Sequence, residues 1–303
     1  MQQHIKNKTP VQKTIQSSKI HDCRNPAPFL ALRLRILGWG RMPFVEIDGE
    51  NVHYTERRGG AQPVIFLHGG FGSSSDLWRD TMAALPEDYS AYAIDNFLKS
   101  DPPAQGYNVT AFAKRTAAFA ARLKLDRPVL VGHSMGGVVS QLTAIEYPDS
   151  VGGLVLVCTG ASMSNHQLAR DLLVELRNGG ANPQTLRSIS AHWFHSAPHE
   201  FFDRYVALAT GAPLDAMIKV QESLIETDLR PRLAAIGAPT LVVFGAHDTG
   251  RTIEHAHTLL NGIRNSELAT MNDSGHTPMA ETPDAFNAAF HDFLCRAVAA
   301  AYN

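Results

Sequence analysis

A serine, an aspartate and a histidine stand in this 303-residue chain in an order and setting that suit acyl transfer. The stretch PVLVGHSMGGVV (128–139) places Ser134 among three glycines, directly after an aliphatic run. A serine hydroxyl is a weak nucleophile until a base removes its proton, so a histidine and a carboxylate to orient it are needed. LVVFGAHDTG closes another aliphatic run and delivers Asp248, and ELATMNDSGHTPMAETP delivers His276 in a Gly-containing loop. In Gly132-His133-Ser134-Met135-Gly136 the serine falls between a predicted strand and a predicted helix. A G-x-S-x-G turn needs that context, because strand and helix can approach only if the flanking residues are small. The hydroxyl then sits at a helix N-terminus, where N–H groups favour developing negative charge. The competing reading of the same stretch is an ordinary Gly-rich turn, and the rest of the chain has to decide between them.

The elements that must hold these residues are legible from residue 43 onward. FVEIDGENVHYTE alternates around Asp48-Gly49 as a hairpin does. Aliphatic runs then recur at 63–69, 92–95, 128–133, 153–158, 239–245 and 266–271, and such unbroken runs suit strands covered on both faces. Helical stretches are expected at about 75–85, 109–124, 135–147, 251–261 and 282–300. The alternation predicts an α/β fold, a doubly wound and mostly parallel sheet. Residues 159–230 interrupt the rhythm with helical, aromatic-rich segments; so long a gap reads as a helical cap inserted over one edge of the sheet. The core of the fold is then expected in two parts, 42–158 and 231–303.

On these residues the chain resembles the α/β-hydrolase fold enzymes over essentially all of 43–300. The matching motifs are HGGFG (68–72), GHSMGG (132–137), GAHD (245–248) and SGHTPMAETP (274–283), in order, each after a predicted strand. The resemblance implies Ser134 as nucleophile, His276 as general base and then acid, and Asp248 as the group that fixes the His276 tautomer. It implies an oxyanion hole at the backbone N–H groups of Met135 and Gly70, with Phe71 as the alternative to Gly70. Serine at the nucleophile position departs from the dehalogenases and epoxide hydrolases of the fold, which use aspartate. Phe71 after HGG departs from the HGGPG of iminopeptidase-like relatives. The stretch DNFLKSDPP (95–103) lacks the glycines that many relatives carry there, which puts the loop between Asp95 and Ser100 in question.

Other chemistry-bearing residues have plainer readings. Asp273 reads as a turn residue, Glu281 as a helix cap or structural hydrogen-bonder, His68 and His133 as strand-end structural histidines, and Cys158 as a small hydrophobe of a strand. His192, His195 and His199 do not make a metal site, because Pro198 breaks the helical spacing and no carboxylate or cysteine completes the set. No metal and no cofactor are expected. Trp193, Phe194, Phe201, Phe202 and Tyr205 line the cap stretch, and Trp193 with Phe71 are the candidate substrate contacts.

Composition bounds the partners. Residues 1–41 hold eight Lys/Arg against one acid, leaving 19 bases against 28 acids in the remainder. A body that acidic offers no field for nucleic acid. Residues 1–41 read as a basic, disordered extension; a targeting segment, a packed extension and a natural start at Met42 are the other readings. No run is long and apolar enough to span a bilayer. Three distant cysteines without a CxxC pair suit a reducing compartment, hence the cytoplasm. The oligomeric state stays open, a homodimer included. The expected function is hydrolysis of a small, apolar carboxylic ester or lactone through an acyl-enzyme. C–C bond hydrolases, perhydrolases and haloperoxidases of the same fold remain alternatives, and a hydrolase-like small-ligand receptor is a remote one.

Overall fold

The computed structural model describes residues 43–163 and 166–301. The expectations for residues 1–41 and for a start at Met42 lie outside the described residues. Strands β1 (Phe44–Ile47) and β2 (Glu50–Arg57) form the expected hairpin, with Asp48 and Gly49 both at positive φ (53° and 86°) in the tight turn. Then follow β3 (Gln62–Leu67), α1 (Arg79–Ala84), β4 (Tyr89–Ile94), α2 (Val109–Arg122), β5 (Val129–His133), α3 (Met135–Glu146) and β6 (Gly153–Val157). After four helices, α4 (Gln167–Gly179), α5 (Pro183–Ala191), α6 (His199–Ala209) and α7 (Leu214–Glu226), come β7 (Thr240–Gly245), α8 (Ile253–Gly262), β8 (Ser266–Met271), α9 (Pro278–Glu281) and α10 (Pro283–Ala301). The eight strands form one sheet in the order β1-β2-β4-β3-β5-β6-β7-β8, antiparallel at β1, β2 and β4 and parallel from β4 to β8.

The aliphatic runs are unbroken because successive residues face opposite sides and both sides are covered. Ile65, Leu67, Leu130, Leu154 and Leu156 pack with Phe112 and Phe119 of α2 and Val138 and Leu142 of α3. The alternate residues Val64, Phe66, Val131, Val155 and Val157 pack with Trp78, Met82 of α1 and Phe286 and Phe290 of α10. Each such fully buried side chain stabilises the fold by about 1.5–3 kcal/mol relative to exposure.

The segment between β6 and β7 is helical, as its composition predicts, and its buried residues Leu172, Leu176, Leu186, Ile189, Met217 and Val220 are continuous with the core on one face of the sheet. The segment reaches the loops at the C-terminal ends of both β3 and β8: Ala209 lies against Gly72, and the Trp193 carbonyl accepts from the His276 N–H at 3.0 Å. Among the described residues, no helix is long and apolar enough to cross a membrane.

Candidate active site

Ser134 follows β5 and caps α3 with φ 51° and ψ −112°. A non-glycine residue there carries strain on the order of 1–3 kcal/mol, so the surroundings must over-determine it. They do so through the backbone: Ser134 N–H donates to Val157 O at 2.9 Å, and Ser134 O accepts from Gly137 N–H and the Thr159 hydroxyl at 3.0 and 2.7 Å. A side chain at Gly132 would collide with Gly136 O, and one at Gly136 with Leu67 O, so the close approach of β5, α3 and β3 requires both glycines.

Asp248 and His276 leave β7 and β8 on adjoining loops. Ala246 and His247 donate to Met271 O and Ser274 O at 3.0 and 2.9 Å, which locks the two loops together. His276 Nδ1 donates to Asp248 Oδ2 at 2.8 Å. Asp248 Oδ1 accepts from the N–H groups of Gly250 and Arg251 at 2.7 and 2.9 Å. Burial pushes the Asp248 carboxyl upward, but the charge and hydrogen bond of His276 and those two N–H groups outweigh it and hold it below the ordinary value. The carboxylate therefore stays ionised and selects the His276 tautomer whose Nε2 is free to accept a proton.

Ser134, His276, Phe71 and Trp193 line one narrow cavity of about 30 Å³, walled further by Met163, Leu172 and Leu224. Trp193 lies with its ring 5.2 Å from that of His276 and 5.6 Å from that of Phe71. Across from them, a Cβ at Gly69 would stand 3.6 Å from Ser134 Cβ, and one at Gly70 would stand 3.9 Å from Met135 Cβ. Met135 opens α3, where the first N–H groups have no partner within the helix. Of the seven residues singled out from the sequence, Ser134, His276, Phe71 and Trp193 line the cavity, Asp248 is joined to it through His276, and Gly70 and Met135 stand beside each other next to Ser134.

The plainer readings also find their places. His133 Nε2 donates to the His276 carbonyl at 2.8 Å, and burial, with His276 adding to it, pulls its pKa down to about 3. His68 donates from Nδ1 to Gly69 O and accepts at Nε2 from Asn96 N–H. Glu281 accepts from the N–H groups of His195, Ser196, Gly275 and Thr277 at 2.7–3.2 Å and so joins the helical insertion to the His276 loop. The glycine-free 95–103 loop is held by Asp95, which accepts at Oδ1 from Phe97 and Leu98 N–H, and by Ser100, bonded to Asp95 O and His53 N–H. Cys158 departs from its expected place within a strand. It stands one residue past β6 at φ 45°, buried, with Sγ 3.7 Å from Gly275 O, and burial pushes its thiol up. Among the described residues, Cys158, Asp248 and His276 are the one group with metal-ligand spacing, and both oxygens of Asp248 already accept N–H bonds. Of His192, His195 and His199, His195 stacks on His247 with ring centres 3.8 Å apart.

Three polar side chains of the cavity, Arg251, Gln221 and His166, are not among the residues singled out from the sequence. Gln221 left a trace, because it shares a helical face with Met217, Val220 and Leu224, where an apolar residue belongs.

A profile described as the alpha/beta hydrolase family matches residues 64–289. Among curated relatives, RutD of Stutzerimonas stutzeri, which carries a carbamate hydrolase name, is 27% identical over 253 residues, 79% of this chain and 95% of its own. The 3-oxoadipate enol-lactonase 2 of Acinetobacter baylyi is 25% identical over 242 residues, covering 78% of this chain and 90% of its own. The structure of an esterase from Exiguobacterium antarcticum superposes with a TM-score of 0.76 at 23% identity, over 82% of this chain and 98% of the other, a likeness of fold.

Proposed function

Because the chain belongs to the alpha/beta hydrolase family, we propose that it is a serine hydrolase of small carboxylic esters or lactones. The observation that carries the reading is the convergence of a strained, half-buried Ser134 and a carboxylate-bound His276 on one cavity.

The geometry supports the following reaction. Ser134 Oγ attacks the carbonyl carbon while His276 Nε2 takes its proton. The imidazolium that forms is stabilised by Asp248, which stays ionised because the charge and hydrogen bond of His276, with the N–H groups of Arg251 and Gly250, outweigh burial. The carbonyl oxygen becomes an oxyanion held by the N–H groups of Met135 and Gly70, worth about 3–4 kcal/mol per donor in the transition state. His276 returns the proton to the leaving alkoxide. Water then attacks the acyl-Ser134 ester by the same route and releases the acid. Phe71 and Trp193 bound the acyl cavity, and the helical insertion acts as a cap over the site. The enol-lactonase name of one relative and the carbamate hydrolase name of another are consistent with chemistry at an acyl carbon.

The test is a panel of short p-nitrophenyl esters, lactones and vinylogous diketones assayed with the native protein and with Ser134→Ala. Esters or lactones should turn over, and the variant should lose about three or more orders of magnitude in kcat with its fold intact. Turnover of the diketones alone would mean C–C bond hydrolysis; an unimpaired variant would remove Ser134 from the mechanism.

A further inference from the structure

A buried charge without a hydrogen-bonded partner is costly, so its survival in a folded protein calls for a reason. Arg251 is such a charge. It is 3% exposed, lines the cavity shared by Ser134 and His276, and its Nη1 has no hydrogen-bond partner among the described residues. The acid that faces it, Asp248, accepts its hydrogen bonds at Oδ1 from the backbone N–H groups of Gly250 and Arg251 and at Oδ2 from His276. Burial draws the Arg251 pKa down to about 10 against the pull of the Asp248 charge, which leaves the guanidinium a cation at neutral pH.

The same cavity repeats the pattern with a neutral group. Gln221 on α7 is 2% exposed, and its Oε1 has no hydrogen-bond partner among the described residues. Its amide stands over Gly70, where any side chain would collide with Nε2. Two unsatisfied polar side chains at separate places in one small apolar-walled cavity do not suit a purely aliphatic acyl group. They suit a short ligand with polar groups at separated positions.

We propose that Arg251 is a substrate-recognition residue, and that the ester or lactone cleaved at Ser134 carries a carboxylate which the guanidinium binds. The pairing of a planar guanidinium with a carboxylate is strong and directional, and it would supply the partner that the folded chain does not. The inference rests on the serine-hydrolase reading and replaces its expectation of an apolar substrate with that of a short acid-ester. Leu172, Leu224 and Trp193 then enclose the methylene spacer between the two ends.

The test compares the mono-p-nitrophenyl ester of glutaric acid with its neutral analogue bearing a methyl ketone in place of the carboxylate. Rates are read above the uncatalysed background. The native protein should favour the anionic ester in kcat/KM by about tenfold or more, the range expected for a charge-assisted hydrogen bond. Arg251→Met should collapse that ratio toward unity, mainly through KM for the anionic ester, and Arg251→Lys should restore part of it. A residue that only steadied Asp248 would lower kcat on both esters and leave the ratio unchanged. If the methionine variant fails to fold, inhibition of the native protein decides: glutarate should compete with substrate well below the concentration needed for glutaramide. A native ratio near unity, a ratio that survives Arg251→Met, or equal inhibition by glutarate and glutaramide would overturn the proposal. Turnover of the neutral ester, lost in Ser134→Ala, reports separately on the serine-hydrolase reading. Neutral turnover without anionic preference therefore rejects the role of Arg251 alone, and no turnover of either ester rejects both.

Discussion

At the scale of single residues, the site is held by histidines and acids whose protonation states the fold enforces. His133 donates from Nε2 to the His276 carbonyl, and its Nδ1 lies buried with no hydrogen-bond partner among the described residues. Protonation would place a second N–H where nothing accepts it, in agreement with a pKa drawn down to about 3. The unfolded chain, with an ordinary histidine pKa near 6.5, binds that proton as pH falls below neutral, and the folded chain does not. Stability from this residue is therefore complete above about pH 6.5 and is lost as pH falls toward 3. At pH 5.5 the loss from one such histidine is about 1.4 kcal/mol. Thermal unfolding followed from pH 7.5 to 5.5 should show Tm falling by a few degrees, and His133→Asn should flatten the slope. A native Tm independent of pH across that window would contradict the buried neutral state.

At the scale of elements, the insertion and the His276 loop depend on one carboxylate. Glu281, at the end of α9, gathers N–H groups from His195 and Ser196 on one side and from Gly275 and Thr277 on the other. The His276 N–H bond to Trp193 O crosses the same junction. Glu281→Ala should cost about 1–3 kcal/mol of stability and lower kcat by displacing the loop that carries His276. Glu281→Gln, which retains one acceptor oxygen, should fall between the native protein and the alanine variant. Calorimetry and ester assays on the three proteins would check this; unchanged Tm and unchanged turnover in Glu281→Ala would contradict it. The sequence reading foresaw a structural hydrogen bond from Glu281. Its partners at 195 and 196 lie far away in the chain, and no local pattern announces them.

At the scale of the whole molecule, the parts legible in the sequence are those governed by local chemistry. The aliphatic runs at 63–69, 128–133 and 239–245 lie within two residues of the observed strand ends, because a doubly covered strand has to be apolar along its length; 266–271 also matches β8, an edge strand that stays partly exposed. β4 begins at Tyr89, ahead of the expected 92, since Tyr89-Ser90-Ala91 pair with β3 without being aliphatic. The relation among Ser134, Asp248 and His276 was readable because each follows a strand of one parallel sheet, so all three reach the same end of it. Contacts made by folding were not readable: the seat of the insertion over the strand ends, Cys158 turned out of β6, and the cavity-facing Arg251 and Gln221. An unpaired buried arginine looks, in sequence, like any surface arginine.

The claim that joins these scales is that Ser134 is the nucleophile of an acyl-enzyme. Intact-protein and peptide mass spectrometry after treatment with a fluorophosphonate tests it most directly. The account predicts one stoichiometric adduct, located on Ser134, absent from Ser134→Ala and slowed strongly in His276→Ala. An unmodified native protein, or an adduct that persists in Ser134→Ala, would contradict it.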